Sequence, residues 1–168
     1  MRANMTDLLI KLYDLPGSGG CLQRVESQGV TVRRARACEK SAVVDWVRTQ
    51  FGRGWADESC VAFGHQPIAC FLAATEGGIA GFACYDCTCR GFFGPIGVSD
   101  SLRGKGIGSA LLVRSLLAMA EAGYAYAVVG DAGAAARFYA SVVKVQSIAG
   151  STPGIYADPL NLPGNENV

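Results

Sequence analysis

The segment from Gly94 to Leu112, GPIGVSDSLRGKGIGSALL, constrains this chain more than any other. It joins an apolar, strand-like run ending at Val98 to a long apolar helical run, through a loop rich in glycine and positive charge. Gly104, Gly106 and Gly108 remove side chains where the helix begins. A ligand can therefore approach the first backbone N–H groups, which lack partners within the helix and lie at the positive end of its dipole. Arg103 and Lys105 add two cations. The local physics is that of a cradle for a phosphate or pyrophosphate at the end of a strand.

Two familiar phosphate loops fail against this segment. The dinucleotide fingerprint G-x-G-x-x-G needs its third glycine at position 109 or 111, which are Ser109 and Leu111. The P-loop needs a glycine five positions before G-K-[S/T]; position 99 is Ser99, and Gly104-Lys105 is followed by Gly106. The pattern that fits is Arg-x-x-Gly-x-Gly, met by Arg103, Gly106 and Gly108. It resembles the pyrophosphate-binding signature of the GNAT superfamily of N-acetyltransferases. The resemblance extends over residues 68–148. It is strengthened by the strand before the loop, the helix after it, and the run Arg137-Phe138-Tyr139-Ala140 near the end of the next helix.

The rest of the chain reads as one domain. With 168 residues, half of them hydrophobic and 17% charged, it can build a core and is not a disordered chain. Residues 8–15 and 30–37 read as strands, and 39–51 as a helix with Val43, Val44, Val47 and Phe51 on one face. Residues 55–63 form a second helix. Residues 68–74 and 79–85 form a hairpin through Thr75-Glu76-Gly77-Gly78. Strand 92–98 leads to the glycine loop. A helix over 104–122 follows, apolar nearly all round except where Arg114 and Glu121, seven apart, share a face. Strand 125–129 precedes a helix that Asp131 caps and that runs to about residue 143. Short strands at 145–148 and 155–156 complete the order.

This order predicts a mixed α/β fold. The resemblance makes it the GNAT-type acyl-CoA acyltransferase fold: a central mixed, mostly antiparallel sheet flanked by helices, with an extra N-terminal strand. The expected organisation is an N-terminal strand and connector over 1–29, the N-acetyltransferase domain over 30–157, and a flexible tail over 158–168.

The resemblance implies transfer of an acetyl group from acetyl-CoA, as cosubstrate, directly to a primary amine. The loop Arg103, Gly104, Lys105, Gly106, Ile107, Gly108 and Ser109 would grip the CoA pyrophosphate. Ile96, Gly97 and Val98 would lie along the pantetheine arm and thioester through their backbones, and Phe138 would pack inward. Tyr139 would protonate the leaving thiolate; a phenol, with pKa near 10, is a reasonable donor to a thiolate of pKa about 8.5. Asp86, Glu58 and His65 are candidates for the general base, with water as an alternative. Trp46, Trp55, Phe63 and Tyr85 either line the acceptor site or fill the core. Family members often carry an asparagine before the helix of Tyr139, and none is found here. A non-catalytic acyl-CoA sensor on the same fold is the alternative.

Net charge +1 gives no electrostatic case for nucleic acid, and no run of about 18 apolar residues suggests a membrane span. The first seven residues show no signal-peptide core, so a cytoplasmic location is expected. The acceptor is expected to be a small molecule or peptide amine, and a homodimer is possible. Seven cysteines, an odd number, suggest free thiols. Cys84-x-x-Cys87-x-Cys89 invites a metal, but His65 is the only histidine and no second ligand pair stands at fixed spacing, so no metal is expected.

Overall fold

The computed structural model describes residues 6–157. The expected tail, 158–168, lies outside the described residues. The elements run β1 (Leu8–Lys11), α1 (Gly19–Glu26), β2 (Thr31–Arg34), α2 (Lys40–Phe51), α3 (Arg53–Ala62), β3 (Cys70–Thr75), β4 (Gly78–Tyr85), β5 (Phe93–Val98), α4 (Ile107–Glu121), β6 (Tyr126–Val129), α5 (Ala136–Val142) and β7 (Val145–Ser147), with short 3₁₀ turns between several of them.

The strands form two sheets. One is antiparallel, in the order β2-β3-β4-β5; the other is β6-β1-β7, with β1 antiparallel to both neighbours. The extra N-terminal strand is therefore the centre of the second sheet. Leu8 stands opposite Val129 and Ser147, more than a hundred residues away in sequence. The two sheets touch at one parallel bridge, Phe92 with Val128, where Val128 N–H donates to Gly91 O at 2.9 Å. No ladder joins β5 to β6 beyond that bridge among the described residues, so the strands part like a wedge.

Helix α4 lies across β3, β4 and β5 and buries Ile107, Ala110, Leu111, Leu112, Leu116 and Met119. Its polar stripe is narrow, and Arg114 approaches Glu121 at 3.7 Å as their spacing requires. The hairpin β3–β4 closes with Thr75 opposite Gly78. The two arginines that end β2 are held locally. Arg33 makes a two-pronged pair with Glu39 (2.9 and 2.6 Å), and Arg34 donates to Tyr85 Oη at 3.0 Å and to Ile68 O. Cys70 and Cys84 are cross-strand neighbours in the core, and burial pushes the Cys84 thiol well above its ordinary pKa.

Several sequence expectations change. The connector before β2 holds a helix, α1, which packs on the start of α4. Gly52, with φ of 95°, alone separates α2 from α3, so Gly54 lies inside a helix. Helix α4 begins at Ile107 rather than at Gly104. Asp131 does not cap α5: it turns the chain at φ of 46°, and the helix starts at Ala136 after a 3₁₀ turn. The expected strand at Ile155–Tyr156 is a 3₁₀ turn, Gly154–Tyr156. Among the described residues, no helix is long and apolar enough to cross a membrane.

Candidate active site

Strand β5 and its continuation into α4 build the site. Ser99 N–H donates to Ala80 O at 2.9 Å, so these two residues form a hydrogen-bonded antiparallel pair. Two residues on, Phe82 and Gly97 form the next such pair. The pairs between and beside them, Gly81 with Val98 and Ala83 with Ile96, belong to the alternate class, whose N–H and C=O groups point away from the partner strand. The outward-pointing amides of β5 are those of Ile96 and Val98, and they lie on the edge that faces the wedge. Gly97 turns its amide groups inward to β4.

Next to Ile96 the register slips. Ala83 opposes Ile96 while Tyr85 opposes Phe93, so Cys84 alone stands against Gly94 and Pro95. This is a β-bulge, and it bends the strand where it leaves β6. Gly97 has a separate role. A Cβ at this position would fall 2.5 Å from Phe51 Cζ, so the ring of Phe51 rests directly on the glycine backbone. Val98 points to the other face, toward α4 and Gly108.

The glycine loop ends at Gly106, which caps α4 in the left-handed conformation (φ 85°, ψ 2°) without any side-chain capping bond. The first helical bond runs from Ala110 N–H to Gly106 O at 3.1 Å. The N–H groups of Ile107, Gly108 and Ser109 therefore stand outside the helical ladder, at the positive end of a 15-residue helix. Ile107 contributes only its backbone, for its side chain is buried in the core. Gly104 and Lys105 are exposed, and the Phe138 ring lies 3.4 Å from where a Gly108 Cβ would be.

Arg103 is engaged by its own chain. It pairs with Asp100 at 2.9 Å, and its Nε–H reaches Val98 O at 3.4 Å. A cation that the sequence reading missed stands beside the loop instead. Arg24 of α1 brings its Cδ to 3.7 Å from the Cβ position of Gly106, and its guanidinium has no hydrogen bond or ion pair among the described residues. Gln28, one turn on, donates to Lys105 O at 3.3 Å and ties α1 to the loop. No signal in the sequence announced α1, because its start is the glycine pair Gly19-Gly20.

Tyr139 lies beside the start of β5, next to the bridge that joins the two sheets. Its ring stands edge-on to Phe93 (centroids 6.2 Å apart) and against Phe138 (5.2 Å). Only 5% of the residue is exposed, and burial raises its phenol to about 12. Its hydroxyl makes no hydrogen bond among the described residues.

The three candidate bases take different places. Asp86 holds the turn before β5: its carboxylate accepts from Gly91 N–H (2.7 Å) and Tyr124 Oη–H (2.9 Å). His65 Nε2 meets Asp86 O at 3.1 Å. Glu58 of α3 accepts from Thr88 Oγ1–H at 2.7 Å and is half-buried. Tyr156, unremarked as a site residue from sequence, packs against Gly130 and Phe92; its phenol is raised to about 12 by burial first, then by Glu58, Asp7 and Asp131. Trp46, Phe51, Trp55 and Phe82 form one aromatic cluster beside Gly97. Phe63 and Tyr85 stand apart from it; Tyr85 is buried and bonded to Arg34. No group of three metal-binding side chains occurs among the described residues.

Residues 66–142, from the end of α3 through α5, match the acetyltransferase (GNAT) domain family. No curated protein sequence matches the chain. Solved structures share the fold. The glucosamine N-acetyltransferase region of a fungal multi-domain GH3 β-N-acetylglucosaminidase superposes with a TM-score of 0.68 at 15% identity, over 84% of this chain and 20% of that one. A GCN5-related N-acetyltransferase from Sphaerobacter thermophilus gives 0.59 at 20% identity, over 85% of this chain and 49% of that one. One from Kribbella flavida gives 0.59 at 18%, over 87% and 55%. The chain thus spans about half the length of the two bacterial relatives and a fifth of the fungal one.

Proposed function

We propose that the chain, whose residues 66–142 match the acetyltransferase (GNAT) domain family, is an acyltransferase of that superfamily and moves an acetyl group from acetyl-CoA directly to a primary amine. One observation carries the reading. The outward amides of Ile96 and Val98 lie on an unpaired strand edge that leads straight into the free N–H groups of α4. An extended diamide ending in a pyrophosphate is the ligand shape this edge fits.

In this reading the N–H groups of Ile107, Gly108 and Ser109 bind the pyrophosphate, with Lys105 and Arg24 supplying charge. Ile96 and Val98 pair with the pantetheine arm as an added strand would. For that, the Arg103 side chain leaves Val98 O and turns to the phosphates. Gly97 serves by having no side chain. The Ile96 N–H, next to the bulge, is the donor placed to stabilise the oxyanion of the attacked thioester.

The amine lone pair forms the new C–N bond and the C–S bond breaks, the sulfur leaving with the electron pair. The amine nitrogen gives up one proton and the sulfur gains one. In this reading Tyr139 gives the proton to sulfur. Burial raises its pKa to about 12, so the phenol carries its proton across any working pH.

The test is calorimetric titration with CoA together with an assay of CoA release from acetyl-CoA over a panel of amines. Micromolar binding and amine-dependent release are expected. A folded protein that binds no CoA overturns the reading.

A further inference from the structure

Resting on that reading, we propose that the acceptor is a primary amine carried on a flat apolar body, bound against α3, with Phe51 and Trp55 holding the body and Glu58 receiving the ammonium, which releases one proton to water before its nitrogen attacks. The geometry of the donor leaves one side for the acceptor. Val98 and the glycine loop put the donor on the α4 face and edge of β5. The opposite face of β5 is the one Gly97 presents to Phe51, and α3 walls it. An amine that attacks the thioester from the side the donor does not fill therefore meets Phe51 and the exposed side of α3.

That wall has a definite chemistry. Phe51 rests on Gly97, and Trp55 lies beside Phe51 with centroids 5.3 Å apart and planes tilted by 36°. Phe82 and Trp46 back them, each with its centroid 5.7 Å from that of Phe51. Phe82 is wholly buried, whereas Trp55 is 39% exposed, the outer plate of the cluster. Aromatic faces bind flat apolar groups and also attract an ammonium.

Charge decides between kinds of amine. Trp55 and Glu58 are three apart on α3 and so share a face. Thr88 fixes one oxygen of Glu58 at 2.7 Å, and the other makes no hydrogen bond among the described residues. The remaining carboxylates of α2 and α3 are answered by arginines: Asp45 by Arg48 at 2.6 Å and Asp57 by Arg53 at 3.8 Å. One available carboxylate suits one ammonium. A polyamine would leave charges unmatched, and an amino sugar would bring several hydroxyls to a wall whose exposed ring offers a single indole N–H donor.

The experiment measures CoA release at saturating acetyl-CoA with 2-phenylethylamine, spermidine, glucosamine and a lysine-containing peptide, after calorimetry has established CoA binding. Phenylethylamine should lead the others in kcat/KM by roughly tenfold or more. Trp55→Ala should raise its KM about tenfold with kcat nearly held, Trp55→Phe should recover most of that, and CoA affinity should stay unchanged. Glu58→Gln should lower kcat/KM for the amine by a similar factor. Preference for any of the other three probes, turnover of none, or an unchanged KM in Trp55→Ala overturns the inference while CoA binding keeps the donor site intact. Absence of CoA binding overturns both together.

Discussion

Strand β5 is finished in opposite ways at its two ends. Before Phe93, the turn is closed by the protein itself. The Asp86 carboxylate takes Gly91 N–H and the Tyr124 hydroxyl, Asp86 N–H donates to Phe92 O at 2.8 Å, and Asp86 O meets His65. After Val98, the loop runs through left-handed glycines to three helix N–H groups that nothing within the helix accepts. Folding rewards the pairing of buried polar groups. An end that is saturated internally holds the turn, and the end with unpaired helix N–H groups is where the proposed donor would bind.

The largest effect should come from the chemistry on α5, the helix that packs Tyr139 against the strand. Tyr139→Phe keeps the ring against Phe93 and Phe138 and removes only the hydroxyl. Acetyl-CoA affinity should hold while kcat falls by roughly 100-fold. The loss should shrink with a thioester whose leaving thiol is more acidic. Because the phenol sits near 12, above its ordinary value, it stays protonated as pH rises, so it should add no alkaline limb to the kcat profile below about pH 11. Wild-type turnover in Tyr139→Phe would make Tyr139 a packing residue.

Breaking the closed end should do the reverse. Asp86→Ala leaves Gly91 N–H and Tyr124 Oη without their acceptor and puts alanine at φ of 57°. A loss of about 2–3 kcal/mol in denaturant unfolding is expected, with CoA affinity of the folded protein unchanged. A variant as stable as the parent would show that the turn does not need its carboxylate.

Gly106→Asp sharpens the contrast from the open side. It sets a negative side chain against Arg24, at the start of the helix whose N–H groups would hold the pyrophosphate, so CoA affinity should fall about tenfold or more, near 1.4 kcal/mol. Its φ of 85° is one that aspartate tolerates at a cost of about 1–2 kcal/mol, so the melting curve should shift but remain cooperative. Unchanged CoA affinity would remove the loop from the donor site.

The smallest effect tests whether the open end includes α1. Arg24→Gln should weaken CoA roughly three- to fivefold, about 1 kcal/mol or less, the scale of an exposed charge contact. Running the titration with CoA and with dephospho-CoA tells which phosphate Arg24 meets. Equal affinity of variant and parent for both would confine the site to the loop.

The sequence made the local parts plain because local rules write them. The β3–β4 hairpin follows from its glycines, α4 from its apolar run, and the open N–H groups from Gly104, Gly106 and Gly108. What depends on distant contact stayed hidden. Whether Ile96 or Gly97 turns its amides outward is a matter of register with β4, and one residue of slip reverses it. Helix α1 begins at two glycines and buries only Val25, so its stability comes from α4 rather than from its own residues. Asp131 resembles a cap, yet its N–H is tied to Asp7 Oδ1 at 3.0 Å, a partner 124 positions earlier. Arg103 appears free in the sequence, and only the fold shows it engaged by Asp100 and Val98.

The seat of β1 between β6 and β7 sets the timetable of assembly. Its partners at Val129 and Ser147 are made long after it. At about 5–20 residues per second, some 6–25 s of synthesis separate Leu8 from its first partner strand. For that interval both edges of an apolar strand stand unpaired on the ribosome, the condition under which strands find wrong partners. The sheet β2-β3-β4-β5 can close meanwhile from neighbours in sequence. The wedge between β5 and β6 therefore acquires its second wall only when the last strands arrive and the first strand is finally claimed.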